Sequence, residues 1–241
     1  MYLTIYTVIL SYFLLGAIGF FLINRKKETE IARKSWTKYG MYFLIINGLF
    51  LSIVCNSTVF RMVSVAIFVA AAFELLNLFV QSGYKNTSLF TKSKIILILC
   101  AIGFYGFVKM DRSVILFSFL ILSIFDSFSQ ITGQLFGRKK LFPNISPNKT
   151  IGGLLGGSFF AVLSALLLHK LYPQPFYILI GVALGIVAFA FGGDLAASYY
   201  KRQFGVKDFS NLIPGHGGIL DRFDSLISAG AWMGFIHLLH L

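Results

Sequence analysis

The chain has 241 residues and a net charge of +12; 57% of the residues are hydrophobic, 12% are charged, and the mean hydropathy is +0.80. A soluble domain of this length carries about twice that share of charged residues, and one protein core does not bury so many apolar side chains. The composition therefore excludes a soluble globular protein and indicates that most of the surface faces lipid.

Apolar segments follow one another along the whole chain, separated by short polar linkers. A helix that crosses a bilayer needs about 20 mostly apolar residues, and several of these segments approach that length. The eight segments that we predict as transmembrane helices are 2–23, 41–55, 59–80, 95–108, 114 onward, 151–168, 176–193 and 226–240. The sequence thus predicts an all-α polytopic membrane protein with about eight transmembrane helices.

The fifth and seventh segments continue as polar helices. Asp126 is followed at helical spacing by Ser129, Gln130 and Gly133, and Asp194 is followed in the same way by Ser198. A polar stripe at this spacing is typical of an amphipathic helix with one solvent-exposed face. We therefore expect helices five and seven to extend past the lipid into the cytoplasm.

The distribution of Lys and Arg predicts the orientation. Linkers 24–39, 81–94, 127–150 and 194–225 contain 17 of the 21 basic residues, and the alternate linkers contain four. Because basic residues favour the cytoplasmic side, the first set is expected there, with both termini on the other side. The expected location is the cell (inner) membrane, and the expected regions are 1–115 (four helices) and 116–241, which contains the loops 127–150 and 194–225.

Five of the nine acidic residues lie in or beside loops 127–150 and 194–225, which also contain eight basic residues. These acids are Asp126, Asp194, Asp208, Asp221 and Asp224. Acidic groups beside apolar segments are usually paired or functional, and carboxylates mixed with cations suit divalent metal and phosphate. The other interpretation is simple charge pairing at the membrane surface. Nothing in the sequence indicates nucleic-acid binding, and anionic lipid and phosphate are the better partners for the positive charge.

Spacing brings these acids together at one end of the molecule. Asp221 and Asp224 are three residues apart at the start of helix eight, so they share a helix face. Asp194 lies at the end of helix seven that faces the same side, which allows three carboxylates to converge at the lipid boundary. Glycine-rich loops at 214–218 and 145–153 precede helices eight and six, where exposed N–H groups can bind an anion; the alternative is that these glycines serve only helix packing.

The residues from 198 to 224 resemble the signature of the phosphatidate cytidylyltransferase (CDP-diacylglycerol synthase) family. The matching residues are Ser198, Lys201, Arg202, Lys207, Asp208, Pro214, His216, Gly217, Gly218, Asp221, Arg222 and Asp224. A second similar region runs from Asp126 to Gly157, and Gly193-Asp194-Leu195 fits the family's Gly-Asp-Leu. The resemblance covers about residues 120–241; residues 1–115 match only as a hydrophobic region. Ser129-Gln130 departs from the family's Ala-Tyr.

The resemblance implies that CTP and phosphatidic acid react to give CDP-diacylglycerol and pyrophosphate. It implies catalytic roles for Asp194, Asp221, Asp224, Lys201 and Arg202, with the three aspartates binding Mg²⁺ in a site for one or two ions. It implies binding of the substrates by Asp126, Ser146, Lys149, Ser198, Lys207, His216, Gly217, Gly218 and Arg222. His216 has the alternative role of fixing the loop.

Other functions remain open at this stage. Related enzymes use isoprenoid or ether-lipid phosphates, and a CTP-dependent lipid kinase would need similar residues. A cation-coupled transporter would need charges near the bilayer midplane, where we place only Glu74. Glu74 resembles a helix-three glutamate of the family, but a polar contact between helices would also explain it. Small residues on the helices are compatible with a homodimer, but the sequence does not define the oligomeric state.

Overall fold

The chain folds into helices that follow the apolar segments in order. The structure is a computed structural model that describes residues 2–25, 29–215 and 217–239. Within those ranges the helices are α1 (Tyr2–Asn24), α2 (Thr29–Cys55), α3 (Ser57–Gln81), α4 (Thr87–Phe107), α5 (Arg112–Phe136), α6 (Ile151–Leu167), α7 (Phe176–Gln203) and α8 (Leu220–Leu238). A short antiparallel hairpin of β1 (Lys140–Phe142) and β2 (Ser146–Thr150) precedes α6, and a 3-10 turn (His169–Leu171) follows it.

Several helices are long and apolar enough to cross a membrane. Five such spans are found among the described residues, in α2 (Trp36–Cys55), α3, α4, α5 and α7. Apolar side chains also cover the outside of these helices; on α4, for example, Ile96, Ile98 and Leu99 are all more than half exposed. An exposed surface of this kind is stable in lipid. The prediction of an all-α membrane protein is confirmed, while the number of spans and the side of the termini stay predictions.

Three elements differ from the sequence prediction. Helix α2 begins at Thr29 rather than at residue 41, and α4 begins at Thr87 rather than at 95. Both additional segments are polar, so hydropathy does not reveal them, although their backbones are helical. Residues 140–150, predicted as part of the loop 127–150, form a hairpin instead; its second strand contains Pro147 and Asn148, which disfavour strands.

Helices α4 and α8 pack against each other with their backbones nearly in contact. A Cβ atom placed on Gly234 of α8 would lie 1.8 Å from the carbonyl oxygen of Gly103 in α4. Only glycine permits such an approach, which is a common way for membrane helices to associate. This packing fixes α8, whose first two turns contain Asp221 and Asp224, against the N-terminal half of the chain.

Candidate active site

Asp194 lies near the end of α7 with a cation beside it. Its Oδ2 atom is 2.6 Å from the Nζ of Lys149, and its Oδ1 accepts a hydrogen bond from Ser198 Oγ at 3.3 Å. The Asp194 side chain is 38% exposed and that of Lys149 is 17% exposed. Asp194 is therefore accessible to a ligand and already balances one positive charge.

The hairpin brings Lys149 to this position. Lys149 lies in β2, and its Nζ is 4.3 Å from the ring centroid of Phe191 in α7. Arg202, one helical turn beyond Ser198, donates from Nε to the carbonyl oxygen of Ile145 at 3.2 Å, which ties the hairpin to α7. The predicted binding residue Ser146 begins β2 and is half-buried. The hairpin thus forms one wall of the site.

Asp221 has a different environment. Its Oδ1 is 2.5 Å from Lys201 Nζ, and its Oδ2 accepts from the backbone N–H groups of Phe209 and Gly218, both at 2.8 Å. The side chain of Asp221 is 3% exposed, and that of Lys201 is 10% exposed and lies over the ring of Phe209. Asp221 therefore ties Phe209 and Gly218 to α7 and α8, and both of its oxygens are already acceptors.

Asp224 is within electrostatic range of both of these groups. Its buried carboxylate accepts from the N–H of Ser225 at 2.6 Å and interacts electrostatically with Asp194, Lys201 and Asp126. Asp126, on α5, is exposed and is also within electrostatic range of Lys149 and Arg222. Three carboxylates on α5, α7 and α8 therefore face the same region.

The convergence of Asp194, Asp221 and Asp224 as three ligands is not seen in this geometry. Among the residues that the structure describes, no group of three His, Cys, Asp or Glu side chains could hold a metal ion. Mg²⁺ usually takes one or two protein carboxylates and completes its shell with phosphate oxygens and water. Asp194 and Asp224 fit that requirement, whereas Asp221 would first have to release Lys201 and two N–H groups.

The other predicted binding residues differ in how far they are exposed. Ser198 and Lys201 are buried, whereas Arg202, Lys207 and Arg222 are exposed. The carbonyl of Gly217 accepts from Ile213 N–H at 2.8 Å, which closes the glycine-rich loop into a tight turn. His216 lies outside the described residues, so its predicted role stays a prediction.

Sequence analysis missed contacts that the N-terminal half makes with the site. Tyr200 donates from its hydroxyl to the carbonyl oxygen of Leu75 in α3 at 3.0 Å. A cavity of about 470 Å³ beside Gly215 is lined by Arg33, Thr37 and Lys38 of α2, together with Glu30. The sequence signal for this cavity is the helical spacing of polar residues within 29–40, which a hydropathy profile alone does not detect.

The chain was compared with known proteins. Residues 1–240 match the model of the Cytidylyltransferase family. The phosphatidate cytidylyltransferases of Staphylococcus aureus and Staphylococcus epidermidis are 46% and 47% identical over 115 residues, which is 47% of this chain but only 44% of each relative's length. The phosphatidate cytidylyltransferase of Rickettsia prowazekii is 33% identical over 225 residues, covering 86% of this chain and 94% of that protein.

Proposed function

The chain belongs to the Cytidylyltransferase family, and from that premise we propose that it transfers the cytidylyl group of CTP to phosphatidic acid, giving CDP-diacylglycerol and pyrophosphate. One observation carries this proposal: carboxylates and ammonium groups alternate where α7 and α8 meet. Asp194 binds Lys149, Asp221 binds Lys201, and the Asp224 carboxylate lies within electrostatic range of Asp194 and Lys201. Such an arrangement suits a triphosphate, a lipid phosphate and a divalent cation together.

In the proposed reaction, an oxygen of the lipid phosphate attacks the α-phosphorus of CTP. The bond from that phosphorus to the oxygen bridging the α- and β-phosphates breaks, and pyrophosphate leaves with the electron pair. The lipid phosphate is ionised at neutral pH, so no general base is needed. Positioning of the two phosphates and neutralisation of their charge therefore supply most of the catalysis.

The basic residues would supply that neutralisation. We assign Lys149, Lys201, Arg202, Lys207 and Arg222 to the phosphates of CTP and of the lipid. Ser146, Ser198 and the backbone of Gly217 and Gly218 would add hydrogen bonds, and Asp126 would contact the nucleotide or its cation. Asp194 and Asp224 would hold Mg²⁺, which neutralises the phosphates when bound; a role of Asp221 in binding it stays a prediction.

Radiolabelled CTP tests the reaction and separates it from lipid phosphorylation. The purified protein, supplied with Mg²⁺ and phosphatidic acid, is expected to transfer the α-phosphate label of CTP into a lipid product and to release the γ-phosphate label as pyrophosphate. Parallel reactions with an isoprenoid phosphate and an ether-lipid phosphate identify the acceptor. Transfer of the γ-label into lipid, or no lipid product with any of the three acceptors, would contradict the proposal.

We also propose that eight helices cross the membrane, with both termini outside and the site in the cytoplasm. The length of α7 supports its extension past the lipid, because 28 residues span about 42 Å and the hydrocarbon layer is about 30 Å thick. The bias of the basic residues supports the orientation.

Cysteine labelling tests this orientation. In a background with Cys55 and Cys100 replaced by serine, a cysteine at the exposed Asn211 should be protected from an impermeant maleimide in intact cells. A cysteine at the exposed Lys170, in an alternate linker, should react. The reverse pattern would overturn the orientation.

A further inference from the structure

Glu74 is a buried acid outside the signature region. It lies on α3, within a candidate membrane span, and is 1% exposed. A buried carboxylate is strongly unfavourable unless hydrogen bonds or a cation compensate it. Among the described residues, no Lys or Arg forms an ion pair with Glu74, so its hydrogen-bond partners must account for it.

Those partners all belong to the loop before α8 and to the first turn of α8. Oε1 accepts from the N–H of Ile219 at 2.9 Å and from Ser210 Oγ at 2.6 Å, and Oε2 accepts from the N–H of Leu220 at 2.8 Å. The first N–H groups of a helix have no partner inside the helix and need an external acceptor. Ile219, the N-cap residue, supplies no side-chain cap in the described structure. Glu74 therefore caps α8 from another helix, and its negative charge is favourable at that helix end.

The glycine-rich loop is held between two carboxylates. Asp221 accepts from the N–H of Gly218, while Glu74 lies against the Cα of the same residue: a Cβ there would be 2.4 Å from Glu74 Oε1. Gly218 is thus required because Glu74 approaches so closely. The position of this first turn also sets the orientation of the two carboxylates that follow it, Asp221 and Asp224.

We infer that Glu74 is a positioning residue for the proposed reaction: it supplies the N-cap of α8 from α3 and so fixes Gly218 and the first two turns of α8, which contain Asp221 and Asp224. The inference rests on the proposed cytidylyl transfer. The hydrogen bond from Tyr200 to Leu75 supports it, because the adjacent residue of α3 holds the α7 part of the same site.

The substitution Glu74→Gln tests this role. Glutamine keeps the size of the side chain but replaces one acceptor oxygen with an NH₂ group, which cannot accept from Leu220 or Ile219. Since a displacement of about 1 Å can lower a rate about 100-fold, kcat is expected to fall about 100-fold while the KM for phosphatidic acid changes less than about threefold. Ser210→Ala is the matched control: it removes one donor but leaves the helix cap, and kcat should fall less than about fivefold.

The outcomes separate this inference from the proposed function. A wild-type protein that is inactive with all three lipid phosphates would overturn the function. An active wild type together with a Glu74→Gln variant whose kcat is within twofold would overturn the role of Glu74. The role of Glu74 would also be overturned if the Glu74→Gln variant lost activity only in proportion to its loss of folded protein, measured by size exclusion and thermal unfolding.

A second variant applies if Glu74→Gln does not yield folded protein. Gly218→Ala leaves Glu74 in place but puts a methyl group against its carboxylate, which must then move away from the N–H groups of α8. The same pattern is expected, with kcat reduced and the KM for phosphatidic acid kept. A Gly218→Ala protein with wild-type kcat would overturn the inference.

Discussion

Replacing Asp221 with asparagine is expected to lower the rate of CDP-lipid formation by about 1,000-fold, close to complete loss of activity. The Lys201 ammonium is nearly buried and is 2.5 Å from Asp221, so the substitution leaves a buried cation without its counter-charge. Breaking such a pair costs about 3–5 kcal/mol. The amide also offers only one acceptor oxygen where the N–H groups of Phe209 and Gly218 and the ammonium of Lys201 need two.

A double variant separates activity from stability. Asp221→Asn alone should be destabilised, whereas Asp221→Asn with Lys201→Met removes both charges and should regain much of the stability without regaining activity. Asp111→Asn, at the exposed start of α5, is the control and should keep wild-type activity. If Asp221→Asn kept a rate within threefold of wild type, the proposed role of the loop would be wrong.

The largest expected effect on stability comes from Gly234→Ala. The new methyl group would lie 1.8 Å from the carbonyl oxygen of Gly103 and 2.5 Å from the backbone nitrogen of Phe107, so α4 and α8 would have to separate. Overpacking typically costs about 1–3 kcal/mol, and a clash with rigid backbone atoms of α4 places this variant at or above the upper value. A cost of about 3 kcal/mol corresponds to a Tm lowered by about 6–12 °C.

Gly181→Ala in α7 is the matched control for this measurement. Its Cβ would meet no atom within 4 Å, so the Tm should stay the same or rise slightly, because alanine favours helix more than glycine does. Thermal unfolding in one detergent, followed by size exclusion, compares the two variants. Equal Tm values for Gly234→Ala and the wild type would show that α4 and α8 do not meet as described.

The sequence predicted the helices well where hydrophobicity defines them. Helix α6 was expected at 151–168 and is found at Ile151–Leu167, and the expected continuation of helices five and seven is seen as far as Phe136 and Gln203. The polar segments that begin α2 and α4 were missed because a hydropathy profile detects only the apolar part of a helix. The acceptor that Glu74 supplies at the start of α8 comes from another helix, and a hydropathy profile contains no information about such contacts.

The sequence predicted which residues form the site better than it predicted which of them contact each other. The shared helix face of Asp221 and Asp224 follows from their spacing, and both lie in the first turns of α8. Lys149 and Asp194 are far apart in sequence, so only the hairpin shows that they form an ion pair. The contacts of Asp221 with Lys201 and with two backbone N–H groups of the loop are also invisible in the sequence. They arise because a tight loop needs nearby acceptors for its backbone donors, and the predicted contact of Asp221 with a ligand stays a prediction.

The cap on α8 has a consequence for the design of chimeras between this protein and a relative. A chimera that joins residues 1–115 of one protein to the signature half of another inherits its glutamate from the first parent and its glycine from the second. Residues 74 and 218 would then come from different parents. A different side chain at either position would disturb the start of α8 even if every signature residue were intact. A better design takes α3 and α8 from the same parent and exchanges other segments.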